Sequence, residues 1–363
     1  MTDNNDDIPS ISPFYAFLRS SSEPILQWIS SYMTSNSSNH GLNSKEVVLS
    51  GRQFDIDSES LSSLLKVHMW FTYRSGFNAI SAAHFITTDA GWGCMLRCGQ
   101  MMLARALVKS YISSPDCDLV DLNDSDKQVY QSILLNFNDV VKEPFSIHQI
   151  VMHRSENESS FSSWFGPNAI AQTLRRIALE QINEQSTAFP IYLHVSIDQM
   201  IVVHEIISEW DQRTSSKNMP MLLIIPLRAG LKNIDSKTFK ILREYFKSPQ
   251  FVGFIGGRPR RALYLIGCAD EQLLYLDPHN VQCYVSHPAF DDSTYHTNVL
   301  RWLHFENLDP SLALGFICKN KEEFWTLIDF LQKQDSEQDN KLFEVLNNRP
   351  FINNLEYEVL DLE

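Results

Sequence analysis

Cys94 stands where the chain turns into a helix. It closes the run Thr88-Asp89-Ala90-Gly91-Trp92-Gly93-Cys94, and beyond it Met95, Cys98, Gly99, Met102, Leu103, Ala106 and Leu107 recur at i, i+3, i+4, i+7, i+8, i+11 and i+12. That spacing is one buried stripe of a helix, so Cys94 falls in the helix's first turn. Unpaired N–H groups and the positive end of the macrodipole favour thiolate there. It is one of the settings in which a cysteine pKa falls from about 8.5 to roughly 3.5–7.5. Gly91 and Gly93, either side of Trp92, permit unusual backbone angles and let another chain pass close to the sulfur. The chemistry predicted is nucleophilic attack, and a thiol nucleophile needs a base.

Tyr275-Leu276-Asp277-Pro278-His279-Asn280 supplies one. The stretch follows two strand-like runs, Leu263 to Gly267 and Gln272 to Tyr275, joined by a turn at Cys268-Ala269-Asp270-Glu271. In an extended chain Asp277 and His279 share one side, so the carboxylate can orient the imidazole for proton transfer. His68, His84, His148, His153, His194, His204, His287, His296 and His304 lack ligand spacing and read as structural or surface residues. Cys98 falls on the apolar stripe, a packing position, and Cys-x-x-x-Cys is not the redox spacing. Asp116, Asp118, Asp121, Asp124 and Asp126 lack the glycine and terminal glutamate of a calcium loop. No metal or cofactor is expected.

Gly-Trp-Gly-Cys-Met-Leu-Arg-Cys-Gly-Gln-Met at 91–101, together with Tyr-Leu-Asp-Pro-His-Asn at 275–280, resembles the autophagins, autophagy cysteine proteases that process a ubiquitin-like modifier. Three further stretches agree in order: Trp70-Phe71-Thr72-Tyr73-Arg74, Trp164-Phe165-Gly166-Pro167-Asn168, and Gly256-Gly257-Arg258-Pro259 leading to Tyr264-Leu265-Ile266-Gly267. A long signature with ordered satellites, running from Leu61 to Phe330, is far more specific than a lone short motif.

The resemblance implies an α+β, papain-like cysteine protease fold with a small auxiliary lobe around 188–250. The lobe is expected to be reduced, because only Asp211 to Met219 separate Trp210 from Pro220. It makes Cys94 the nucleophile, His279 the proton carrier and Asp277 its orienting partner. Tyr73 reads as core packing or as a functional donor from its aromatic surroundings alone; by resemblance it reaches the oxyanion hole beside the Cys94 N–H. Trp164 flanks the cleft, and Gly257, Arg258 and Pro259 belong to a loop that lies over the cysteine and moves aside for substrate. At the C-terminus, Tyr357 and Leu360 sit three residues apart among acids, like the short motif with which autophagy proteins grip the modifier by strand addition.

The implied activity is cleavage of the modifier's C-terminal extension after glycine, and release of the modifier from phosphatidylethanolamine, in autophagosome formation. The implied partner is the modifier, as precursor and as phosphatidylethanolamine conjugate, with transient contact to autophagic membranes through it. A non-catalytic modifier-binding protein and a deubiquitinase-like thiol protease are the alternatives. The intact Cys94, Asp277 and His279 argue against the first, and the family likeness alone against the second.

Around these motifs the chain divides into a flexible segment at 1–45, a protease domain at 46–334, and a flexible tail at 335–363. In 363 residues, 44% hydrophobic side chains suffice for a sizeable core. A net charge of -14, with Arg258-Pro259-Arg260-Arg261 as the only dense basic run, argues against nucleic acid. Met1 to Asp7 is acidic rather than the start of a signal peptide, and the longest apolar run, Met219 to Leu227, is too short for a membrane span. Six scattered cysteines suit a reducing compartment, so a cytoplasmic location is expected.

Overall fold

The computed structural model describes residues 46–49, 51–56, 61, 65–66, 68–80, 85–116, 122–154, 165–214, 219–258, 261–289, 291–336 and 341–350. In chain order, β1 (Glu46–Leu49), β2 (Arg52–Asp55) and β3 (Tyr73–Ser75) precede four helices, α1 (Cys94–Tyr111), α2 (Asp124–Leu135), α3 (Ile147–Met152) and α4 (Pro167–Glu184). Then come β4 (Tyr192–Val195), β5 (Met200–Val202), α5 (Val203–Thr214), β6 (Met221–Arg228), α6 (Ser236–Tyr245), β7 (Phe251–Arg258), β8 (Arg261–Ala269) and β9 (Gln272–Leu276). The chain continues through β10 (Val281–Cys283), β11 (Trp302–His304), β12 (Ser311–Cys318), α7 (Lys321–Ser336) and β13 (Glu344–Leu346).

The main sheet runs β11-β9-β8-β7-β12-β6-β4, with β1 added against β8 and β2 against β1. Its central strands are almost wholly buried, which is why Met221–Arg228, Phe251–Arg258 and Arg261–Ala269 read as near-continuous apolar runs rather than alternating ones. Both faces are covered. Leu312, Leu314, Phe316 and Cys318 of β12 join one core cluster with Trp210 of α5, Leu242 of α6 and Phe324 of α7. Gly315, of the opposite parity, faces Met102 of α1. The result is the α+β arrangement expected, with α1 laid on the sheet.

Helix α1 differs from the single stripe read in its sequence: every residue from Cys94 to Lys109 is buried. The cause is its place, against β7, β8 and β12 on one side and against α2, α3 and α4 elsewhere. Its polar residues Arg97, Gln100 and Arg105 are therefore inside and must be satisfied by protein partners.

Two further stretches pack against this core. Within 188–250, β4 and β6 are strands of the main sheet, and Phe239, Leu242 and Tyr245 of α6 belong to the same cluster as Phe316, so this stretch shares the protease core. The 335–363 segment is not a free tail along its whole length. Helix α7 runs to Ser336, Leu342 and Phe343 are buried, and β13 pairs in parallel with β5. Two apolar side chains in a segment that reads as polar and acidic are enough to dock it; Arg349 then forms a bidentate pair with Glu205 at 2.8 and 2.9 Å.

Candidate active site

The Cys94 turn is built by Asp89. The carbonyl of Asp89 accepts the N–H groups of Trp92 and Gly93 at 3.2 and 2.9 Å, folding the chain back so that α1 starts at Cys94. A Cβ at Gly93 would lie 2.3 Å from Asp89 Oδ2, so no side chain fits there. Gly93 offers no capping side chain and the first turn of α1 carries no acid. The positive helix end therefore meets the sulfur without a neutralising carboxylate of its own helix.

Opposite it, β9 stops at Leu276 and the chain turns at Pro278 and His279. The extended geometry expected for Asp277 and His279 is thus replaced by a turn, and the two still meet. Asp277 Oδ1 accepts the His279 backbone N–H at 3.1 Å and lies 2.5 Å from His279 Nδ1. An aspartate bonding the N–H two residues on is a turn former in itself. Trp70 Nε1 donates to the Asp277 carbonyl at 2.8 Å, and the Tyr73 N–H donates to Pro278 O at 2.9 Å. Through these bonds, and through the parallel pairing of β3 with β10, the Tyr73 ring stands edge-on to the His279 ring at 5.5 Å.

His279 and Tyr73 are the side chains that act on the Cys94 sulfur. With Nδ1 held by Asp277, Nε2 is the imidazole nitrogen left for the sulfur. Burial pushes the Cys94 thiol up, but the hydrogen bond and charge of His279, the Ala262 N–H and the Tyr73 hydroxyl outweigh it, and the net shift is downward. Burial likewise pushes His279 down, and Asp277 and Cys94 more than reverse it, raising the imidazole to about 9. Opposed shifts of this kind describe a thiolate–imidazolium pair. Tyr73 is held far above the ordinary phenol range, by burial first and then by Cys94, and so stays a neutral donor. Cys98, one turn along the same helix and equally buried, is pushed up by burial with no countering partner. The neighbours of Cys94 separate the two thiols.

A family model, the peptidase C54 catalytic domain, matches residues 58–330, most of the chain. The chain belongs to the peptidase C54 family. It is 34% identical to human cysteine protease ATG4A over 332 residues, covering 83% of this chain and 81% of that one. The mouse ATG4A protease is 34% identical over 329 residues, with 83% and 81% covered, and Xenopus laevis cysteine protease ATG4B is 35% identical over 300 residues, with 76% of each covered. The protein is thus an autophagy-related cysteine protease of the C54 type.

In this C54 protease Asp277 and His279 meet beside Cys94, with the Tyr73 ring against that of His279. Gly257 and Arg258 end the β7 side of a tight hairpin in which Arg258 pairs with Arg261. Gly257 has φ +123, and a Cβ on it would lie 2.2 Å from Arg261 O. Arg258 is tied down by hydrogen bonds to Asn307 O and Oδ1 at 3.0 and 2.7 Å. The other arm of the hairpin reaches the site, since the Ala262 N–H bonds the Cys94 sulfur. Trp164, Pro259, Tyr357 and Leu360 lie outside the described residues, as does the whole of the 1–45 segment.

Three residues escaped the sequence reading. Asp89, Arg97 and Asp139 form a buried network beneath the turn, Arg97 pairing with both carboxylates at 2.8 and 3.0 Å. An arginine three residues past Cys94, in a helix that reads as apolar, is a signal that carboxylates must lie nearby. Nothing local marks Asp139, 42 residues away, as one of them. An open cavity of about 370 Å³ also went unforeseen. Lined by Asn168, Ser196, Gln199, Arg228 and Leu312, it lies where α4 begins and β6 ends.

Proposed function

We propose that this protease cleaves the C-terminal extension of a ubiquitin-like autophagy modifier after a glycine, and releases the same modifier from phosphatidylethanolamine. The observation that carries the chemistry is the Asp277–His279 hydrogen bond beside Cys94, with the opposed pKa shifts of His279 and Cys94. The modifier as substrate is carried by the resemblance to the autophagins and by the family.

Cys94 thiolate attacks the glycine carbonyl, and the oxyanion is held by the Cys94 N–H and the Tyr73 hydroxyl. His279 gives its Nε2 proton to the departing nitrogen, the C–N bond breaks, and a thioester remains. Water then adds to the thioester carbonyl, losing a proton to His279; the C–S bond breaks, and a glycine carboxylate and Cys94 thiolate result. Asp277 holds the ring throughout. The peptide extension and the phosphatidylethanolamine headgroup leave by the same step, because each is an amine bonded to the glycine carbonyl.

Gly257, Arg258 and Pro259, with Trp164, are assigned to the cleft, and Tyr357 with Leu360 to a modifier grip. A cytoplasmic location is part of the reading. It is supported by the described cysteines Cys94, Cys98, Cys268, Cys283 and Cys318, all free thiols. Among the described residues no helix is long and apolar enough to cross a membrane.

The test incubates wild type and Cys94→Ala with a modifier bearing a C-terminal extension, with the modifier conjugated to phosphatidylethanolamine, and with ubiquitin extended in the same way. Cleavage of both modifier forms, absent in Cys94→Ala and absent with ubiquitin, is expected. Binding without cleavage would make the chain a non-catalytic modifier binder, and cleavage of ubiquitin would overturn the substrate.

A further inference from the structure

Asp89 is completely buried and joins three pieces of chain. Its Oδ1 accepts the Arg74 N–H at 2.6 Å and Arg97 Nη2 at 3.0 Å, and its Oδ2 accepts Arg97 Nε at 2.8 Å. Its own N–H returns to Arg74 O at 3.2 Å, and its carbonyl takes the Trp92 and Gly93 N–H groups. One residue therefore grips β3 next to Tyr73, α1 next to Cys94, and the turn between them. Thr88 adds a lighter bond on the same seam, its hydroxyl donating to Arg74 O at 2.9 Å.

The Arg97 fork is used to its last N–H. Besides Asp89 it donates from Nη1 to Gln100 Oε1 at 3.1 Å and Asp139 Oδ1 at 3.0 Å, and from Nη2 to Asp139 Oδ2 at 3.0 Å. Asp139 makes a matching bidentate pair from the segment after α2. A buried ion pair is weak evidence for stability as such, since desolvation offsets the attraction. What distinguishes Asp89 from Asp139 is its direct hold on both walls of the oxyanion site. Donors there must stay within about 0.5 Å of the productive geometry.

We propose that Asp89 is a positioning residue of the reaction: it locks the strand bearing Tyr73 to the turn bearing Cys94, and so sets where the Tyr73 hydroxyl stands relative to the Cys94 N–H. It touches no substrate and acts through those two residues. The inference rests on the proposed role of Cys94 as attacking thiol.

The experiment measures kcat and KM for Asp89→Asn, Thr88→Val and Asp139→Asn, each alone and combined with Tyr73→Phe, per mole of folded enzyme. The probe is a recombinant ubiquitin-like autophagy modifier with a C-terminal extension. Asp89→Asn is expected to lower kcat about 10²-fold, the size of one lost oxyanion donor, with KM unchanged. Adding Tyr73→Phe to it should cost little more, because the donor removed is one already misplaced. Thr88→Val, a milder cut of the same seam, should lower kcat several-fold and likewise add nothing to Tyr73→Phe. Asp139→Asn should leave kcat intact.

Losses that multiply with Tyr73→Phe would overturn the proposal, as would an Asp139→Asn variant whose kcat falls as far as that of Asp89→Asn. If Asp89→Asn does not fold, the Thr88→Val pair decides in the same way. Retained cleavage in Cys94→Ala would instead overturn the reading beneath it, so the two failures are distinguishable.

Discussion

Asp89 and Asp277 are both buried carboxylates at tight turns next to Cys94 or its partner, and their surroundings divide the work between them. Asp89 faces Arg97, a permanently charged fork, and both of its oxygens are bonded. Asp277 faces only an imidazole; its Oδ1 serves His279 twice, and its Oδ2 has no hydrogen-bond partner among the described residues. A carboxylate matched by a guanidinium holds backbone in place against a charge that the arginine does not give up, although burial pushes the Asp89 carboxyl itself up. A carboxylate matched only when a histidine is protonated instead favours that protonation, and His279 accordingly rises to about 9. Position on one side of the site and protonation on the other are thus set by the same residue type with different partners.

Substitutions can break this division or sharpen it. Cys94→Ala should abolish cleavage on either account, lowering turnover by about 10⁵-fold or more while leaving modifier binding measurable by calorimetry. Asp277→Asn should cost about 10⁴-fold in kcat, as loss of an orienting carboxylate does in other triads. Full activity in that variant would remove Asp277 from the mechanism. Asp139→Asn should act on stability instead: one edge of the buried Arg97 fork loses its counter-charge, a loss of about 3–5 kcal/mol by urea unfolding, with kcat per folded molecule retained. Tyr73→Phe should lower kcat about 10²- to 10³-fold with KM unchanged; a change in KM alone would make Tyr73 a binding residue.

The smallest effect expected is a displacement along the pH axis. Because His279 is raised and must carry a proton to the leaving amine, kcat/KM should fall on the alkaline side near pH 9. Because Cys94 is lowered, the acid limb, where the thiolate takes up a proton, should lie below the ordinary thiol range. The limbs belong to the coupled pair rather than to either residue alone. In Asp277→Asn the alkaline limb should move to lower pH, since the group removed is one that raises His279. An unmoved limb would break the assignment of His279 protonation to Asp277.

Cys94, Asp277 and His279 stand out in the sequence because their signals are local. The helical spacing after Met95 places Cys94 at a helix start, and the two residues from Asp277 to His279 suffice for contact whether the chain is extended or, as found, turned. The apolar runs of β6, β7 and β8 likewise announce buried strands. What surrounds α1 left no such mark: a helix read as half-exposed is enclosed because β7, β8 and β12 and three helices converge on it from distant parts of the chain. The docking of Leu342 and Phe343 was hidden for the same reason. So were the partners of the site: Trp70 reaches the Asp277 carbonyl across 207 residues, and Asp139 reaches Arg97 across 42. Sequence by itself determined which groups could react and which elements carry them, since periodicity and turn chemistry act over a few residues. Only the tertiary structure decided which buried charge meets which, and hence which thiol ionises, because burial and charge pairing are set by neighbours in space that the chain order does not reveal.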